Sequence, residues 1–175
     1  MLLLLVTSQR GQTIVNLSLE GMEVEKDSIS FRLSTLLKHN RPGDPLDSIV
    51  LTRFKDKLLC VVRTLKCYIK KTQDIRKEEK QLLISYVSPH HGIGRDTLAR
   101  WTLSVLSMAG INTLKYRSHS TRGASASAAR ACGVNLNTLM KHAGWKSQDL
   151  FAKFYNKRID RDPLPVQNIL LKGTT

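Results

Sequence analysis

Cysteine is scarce. Cys60, Cys67 and Cys132 are the only three in 175 residues. No two stand at the short gap of a zinc site, and an odd number argues against a disulfide framework. They read as reduced intracellular thiols packed in the core. Aromatic residues are also few, at 6%. Most fall at helical-core spacing, which leaves little for stacking the bases of a single strand. Acidic residues number 14 against 28 Lys and Arg, for a net charge of +14. No apolar run is long enough to cross a bilayer. MLLLLVTS, at the start, lacks the basic leader and the length of a secretion signal. His90 and His91 are adjacent, but no Cys or carboxylate lies near them at ligand spacing, so no metal site is expected.

What remains is a basic chain able to form one domain with a real core. Its 41% hydrophobic content excludes a disordered tail. The positive charge is dispersed and never gathers into a polybasic tail. That balance favours a polyanionic partner, nucleic acid first. A ribosome-like RNA binder and an anionic membrane surface are the competing readings. There is no internal repeat and no low-complexity tract.

The patterning predicts a mainly α chain with a small antiparallel β-sheet, an α+β fold. Leu2 to Val6 reads as a core helix that Thr7 and Ser8 break or cap. Gly11 to Leu17 reads as a short helix with Arg10 at its start. Met22–Val24, Ile29–Leu33 and Ile49–Leu51 alternate as strands do. Lys26-Asp27 suits the first hairpin turn, and RPGDP, from Arg41 to Pro45, marks a longer second connection. Leu58, Val62, Leu65 and Ile69 have helical spacing. Lys70 to Gln81 reads as a charged surface connection, and Leu82 to Val87 as a short extended run. Leu98, Trp101, Val105 and Met108 predict a helix face, ended by Gly110. A small-residue helix follows to about Cys132. Asn135 caps the next, Gly144 ends it, and Ser147 caps a last one bearing Leu150, Phe151 and Phe154.

HSTRGASASAA, from His119 to Ala129, is the stretch that asks for a function. A spacing of three sets His119 and Arg122 on one helical turn. The small residues after them permit close approach to another surface. A packed small-residue helix with a chance charge would also fit. Metal-free cleavage of a phosphodiester makes stricter demands. Fixed donors must hold the non-bridging oxygens in the transition state, and arginine suits this best. A nucleophile must attack phosphorus, and an acid must protonate the leaving 5′ oxygen. Candidates exist for each part: Arg10 near the start, Lys38 just past the second strand, His119 with Arg122, Trp145 after Gly144, and Tyr155 after Phe154. Lys26 and other lysines near the sheet compete with Lys38. His142 stands at the wrong offset to replace Trp145 and reads as surface. Cys132 reads as packing.

In this order, these residues resemble the catalytic domain of the tyrosine recombinases, the lambda-integrase-like family. TSQRGQTIVNL resembles the segment of its first arginine. HSTR matches its H-x-x-R box. AGWKSQDLFAKFY resembles its His/Trp box running into the nucleophile. LLKHNRPG, AGIN, HSTRGASASAA and GW…FY look most like the recombinases of DIRS-type retrotransposons. The resemblance spans nearly the whole chain. It implies that Arg10 and Arg122 grip the scissile phosphate and that Lys38 protonates the leaving oxygen. His119 would assist proton transfer, Trp145 would bond the phosphate or buttress the pocket, and Tyr155 would form the 3′-phosphotyrosine. Two departures stand out. Thr13 occupies a position that is acidic in many members, and the Trp-to-Tyr gap is one residue longer than in prokaryotic members.

The resemblance implies DNA strand cleavage and rejoining in recombination or integration of a mobile element, in the nucleus. It implies double-stranded DNA as partner, homo-oligomers on that DNA, and no cofactor, metal, membrane or small-molecule ligand. VQNILL in the tail suits either exchange between protomers or packing in its own. Residues 1–160 are expected to form the catalytic domain, truncated at its front before the family's upstream clamp domain, with 161–175 as a tail. The rival expectation is an inactive remnant that binds DNA without cutting it. A weaker one is an unrelated helical RNA binder.

Overall fold

The computed structural model describes residues 1–33 and 48–145, with Gln148, Asp149 and Phe151 beyond them. The expected RPGDP loop, the Ser147 cap and the boundary near residue 160 lie outside the described residues. Two short helices, α1 (Leu2–Thr7) and α2 (Gly11–Val15), precede a sheet of β1 (Met22–Val24), β2 (Ser28–Arg32) and β3 (Ser48–Thr52). Further helices among the described residues are α3 (Val61–Arg76), α4 (Arg95–Met108), α5 (Ser120–Ala131) and α6 (Leu136–Ala143).

The sheet is antiparallel in the order β1-β2-β3. Met22 pairs with Phe31, and Phe31 in turn with Ile49. Strict alternation buries one face: Ile29 and Phe31 from β2, Ile49 and Leu51 from β3. That face joins Leu3, Leu4, Ile14, Leu17 and Leu65 in the larger core. A second, smaller core gathers Ala126, Leu139, Met140, Ala143, Trp145 and Phe151.

Several expectations need correction. The helix expected from Leu58 starts at Val61, with Cys60 as its N-cap, and Leu58 and Leu59 are exposed. It then runs on to Arg76, through the stretch expected to be a surface connection. Polar residues there hide a continuing buried face. Arg76 donates from Nη2 to Thr72 Oγ1 (2.9 Å) and to Leu82 O (3.0 Å), and from Nη1 to Gln81 O (2.6 Å). Those bonds occupy Nη1 and Nη2 of a buried guanidinium, leave Nε without a partner among the described residues, and fold the next segment back on the helix. Leu82–Val87, expected as a short extended run, joins no strand of the sheet. Its vicinity holds only the isolated bridges Ser18–Gln81 and Ile84–Gly92.

The inward face of α4 is Leu98, Thr102 and Leu106, whereas Val105 and Met108 are exposed. Thr102 enters the interior at little cost because its hydroxyl donates to Leu98 O at 2.8 Å. Of the cysteines only Cys60 is buried; Cys67 and Cys132 are exposed. Cys132 is the C-cap residue of α5 rather than core packing.

The small residues of α5 serve close packing. Gly123, Ala126 and Ser127 are buried, and the helix lies against α1 and α6. Both ends of α6 are as expected: Asn135 accepts from Asn137 N–H at 2.8 Å, and Gly144 ends the helix at φ +66°.

Candidate functional site

The site begins with a turn at the end of α1. Ser8 takes a left-handed conformation (φ 51°), with its N–H on Leu4 O. Thr7, Ser8 and Gln9 are all buried, which is unusual for three consecutive polar residues. Each has a partner. Thr7 Oγ1 donates to Leu3 O (2.7 Å), Ser8 Oγ meets Ser125 Oγ on α5 (2.8 Å), and Gln9 Nε2 donates to His142 O on α6 (2.8 Å). His142 Nε2 returns a bond to Val6 O at 2.8 Å. The front of the chain is thereby tied to α5 and α6. The next residue is Arg10, the extended N-cap of α2, exposed to solvent.

On the other side, His119 is the N-cap of α5 and Arg122 its third residue. Arg10, His119 and Arg122 line one cavity of about 330 Å³. The sequence-expected spacing therefore holds in space, though His119 stands just before the helix rather than within it. Arg122 is only 4% exposed. Taking a guanidinium out of water costs several kcal/mol unless its surroundings replace the lost solvation. Here Nη2 donates to Ala143 O at 2.8 Å, and the guanidinium carbon lies 4.4 Å from the Trp145 ring centroid. Ala143 ends α6, so the cation also meets the negative end of a helix dipole.

The place of Trp145 follows from Gly144. The Trp145 N–H bonds to Met140 O (2.9 Å), and the Gly144 N–H to Lys141 O (3.2 Å). This is a Schellman turn, which needs a left-handed residue at Gly144 and throws the next side chain back over the helix end. There Trp145 is 7% exposed, edge-on to Phe151 with ring centroids 4.8 Å apart. It buttresses the arginine from behind. Lys38 and Tyr155 lie outside the described residues.

Arg95 is the site residue that sequence reasoning missed. Arg95, Leu98, Ala99 and Thr102 of α4 line the same cavity at positions i, i+3, i+4 and i+7. The stem of Arg95 lies against Gly11, where an added Cβ would sit 3.8 Å from Arg95 Cγ. A signal did exist. Arg10 is an N-cap, and Arg95 and Arg122 stand in first helical turns. In each case the dipole of the arginine's own helix disfavours a cation there, and among the described residues only Arg122 is offset by the end of another helix, α6. Three arginines at helix N-termini line one cavity with no acidic residue among its described lining, so the cavity suits an anion. Arg95 also has a carboxylate at hand, Asp96 at 3.8 Å. Thr13, where an acidic residue was noted as missing, is buried within α2.

No family model matches the chain, and no curated protein does. Solved structures do. A XerA recombinase superposes at TM-score 0.69 with 16% identity, covering 99% of this chain and 56% of its own. A XerH site-specific recombinase bound to difH substrate gives 0.66 and 13%, covering 90% of this chain and 41% of its own. The Tn1549 transposon integrase, in complex with circular intermediate DNA, gives 0.56 and 11%, covering 99% and 56%. This chain thus spans about half the length of these structures. The fold, helical with one three-stranded antiparallel sheet, is that of tyrosine recombinase catalytic domains.

Proposed function

We propose that this chain carries the catalytic centre of a tyrosine recombinase, which cleaves and rejoins DNA strands through a covalent 3′-phosphotyrosine. The observation that carries the reading is the shared cavity: Arg10 from the front of the chain, and His119 and Arg122 from α5, meet in one basic pocket. Arg10 and Arg122 would hold the non-bridging oxygens of the scissile phosphate. Tyr155 Oη would attack phosphorus as the bond to the 5′ oxygen breaks, and Lys38 would supply that oxygen's proton. His119 would assist by taking up the proton Tyr155 loses, and Trp145 would hold Arg122 in place. Attack by a free 5′-hydroxyl on the phosphotyrosine reverses the step and rejoins a strand. The bond energy is kept throughout, so no cofactor is required.

The likeness to DNA-bound recombinases supports double-stranded DNA as the substrate, and the likeness to a transposon integrase supports mobile-element integration. LLKHNRPG, AGIN, HSTRGASASAA and GW…FY support an element of the DIRS retrotransposon type, whose target would be nuclear DNA. Assembly of several protomers on the DNA belongs to the same reading.

Trapping tests it. The protein is incubated with nicked suicide duplexes carrying the element ends, both alone and with a supplied upstream DNA-clamp domain, and run on denaturing gels. A protein–DNA adduct that survives SDS and vanishes with Tyr155→Phe is expected. Salt-dependent duplex binding without any adduct in either format would instead indicate a remnant that binds but does not cut.

A further inference from the structure

The sheet has two ends. At one, Leu33 and Ser48 adjoin Gln9, His142 and Gly144, beside the catalytic pocket. At the other, Ser28 pairs with Thr52, and the chain turns through Lys26–Asp27 and leaves through Arg53. Five residues of strand, about 15 Å, separate the two. The far end carries a groove of about 540 Å³, larger than the arginine cavity. Lys26, Arg53, Lys55, Lys57, Arg63 and Lys66 line it, with Asp27 the one acidic residue among the described lining. Asp27 is already taken by Arg53, Nη1 to Oδ1 at 3.1 Å. Lys66 Nζ donates to Glu25 O (2.9 Å) and Arg63 Nη1 to Lys57 O (3.3 Å), which hold those two cations at the groove wall.

Charge alone would suit any polyanion. The groove is not charge alone. Phe54, Cys60 and Val62 also line it, and Phe54 is 55% exposed. Leu58 and Leu59 stand beside it at 84% and 54% exposed. Three large apolar side chains in water, interleaved over RFKDKLL with three cations and one carboxylate, Asp56, which accepts from Leu58 N–H (2.8 Å), form a patch that stabilises the fold little. A duplex backbone offers nothing to pair with them. A peptide with carboxylates on one side and apolar residues on the other matches both features.

We propose that this groove docks an acidic amphipathic segment of a partner protein. Phe54 is the apolar anchor, and Lys55 and Lys57 are the charged rim. The site is distinct from the arginine cavity and does not depend on how that cavity is used.

The test is fluorescence anisotropy on the full chain with three probes. One is a labelled synthetic peptide of Glu, Leu and Phe in amphipathic order. The second has the same Glu content with Ser in place of Leu and Phe, and the third is a random-sequence DNA duplex. The amphipathic peptide should bind and the Ser peptide should bind at least tenfold more weakly. Phe54→Ala should weaken the amphipathic peptide about tenfold, the change expected of one buried anchor. The double change Lys55→Glu with Lys57→Glu should weaken it further. All these side chains are exposed, so the variants should melt as the parent does. Equal binding of the two peptides, no response to Phe54→Ala, or no peptide binding at all would overturn the proposal. So would a matching loss of duplex affinity in the variants, which would make the groove a nucleic-acid surface.

Discussion

The Arg122 guanidinium carbon lies 4.4 Å from the Trp145 ring centroid, while its Nη2 donates to Ala143 O. One residue of a helix start is thus clamped by the end of another helix and by the ring that follows. The ring face favours a cation, and the carbonyl uses one of its donors. Trp145→Phe keeps a ring beneath the cation. It should cost about 0.5–1 kcal/mol of cation–π energy and slow adduct formation modestly. Trp145→Ala opens the smaller core at about 3–5 kcal/mol and should abolish the adduct. Thermal melts paired with the trapping gel separate the two.

Arg10 and Arg122 should behave differently although both face the same cavity. Arg10 is exposed, so Arg10→Ala should change stability by less than about 0.5 kcal/mol. It should still lower the cleavage rate about 10²–10³-fold, as losing one transition-state donor does. Arg122→Ala should lose both stability and cleavage. Equal melting temperatures for the two variants would count against the clamp.

Arg95 tests the part of the pocket that sequence reasoning missed. Its side chain is 70% exposed and its stem rests on Gly11. Arg95→Ala should leave folding intact and weaken duplex binding. It should also flatten the dependence of log affinity on log salt by about 1, one phosphate contact. An unchanged salt slope would remove Arg95 from the interface.

Gly144→Ala probes the turn that aims Trp145. A left-handed residue with a Cβ costs about 1–2 kcal/mol, and here φ is +66°. The nearest atom to an added Cβ is Gln9 Oε1 at 3.5 Å, so crowding adds little. The expected result is a lowered melting temperature and altered tryptophan fluorescence as the ring shifts from Arg122.

Glu79 predicts a pH effect remote from the pocket. Its carboxylate accepts from the N–H groups of Gln81 (2.9 Å) and Gly92 (2.7 Å), which hold its pKa below the usual glutamate range. A depressed folded pKa means the unfolded chain binds the proton more readily. The stabilisation is therefore complete above the ordinary value of about 4.3 and is lost as pH falls through the lower folded value. Glu79→Gln should melt lower at neutral pH, and the gap between variant and parent should close in acid.

Much of the fold was legible because local chemistry dictates it. Alternation in ISFRL and IVL, glycines after α4, α5 and α6, and Asn135 before α6 each mark an element by backbone physics alone. The misreadings share one cause. Thr72, Arg76 and Thr102 are polar by type but buried by virtue of bonds to nearby backbone or to each other, so an apolar pattern could not include them. Leu58, Val105 and Met108 are the converse, apolar residues left in water.

For the site, local patterning is enough to set the residue types and their surroundings: Arg10 at a helix start, His119 and Arg122 on one turn, and Trp145 after the glycine that ends α6. Those are short-range matters of spacing, capping and φ. Tertiary structure alone decided that Ser8 and Gln9 reach across to Ser125 and His142, that Ala143 and Trp145 clamp Arg122, and that Arg95 joins the pocket. Such contacts link residues far apart in the chain, and their energy comes from burying polar groups against specific partners. No local pattern encodes a partner that only the folded core brings near.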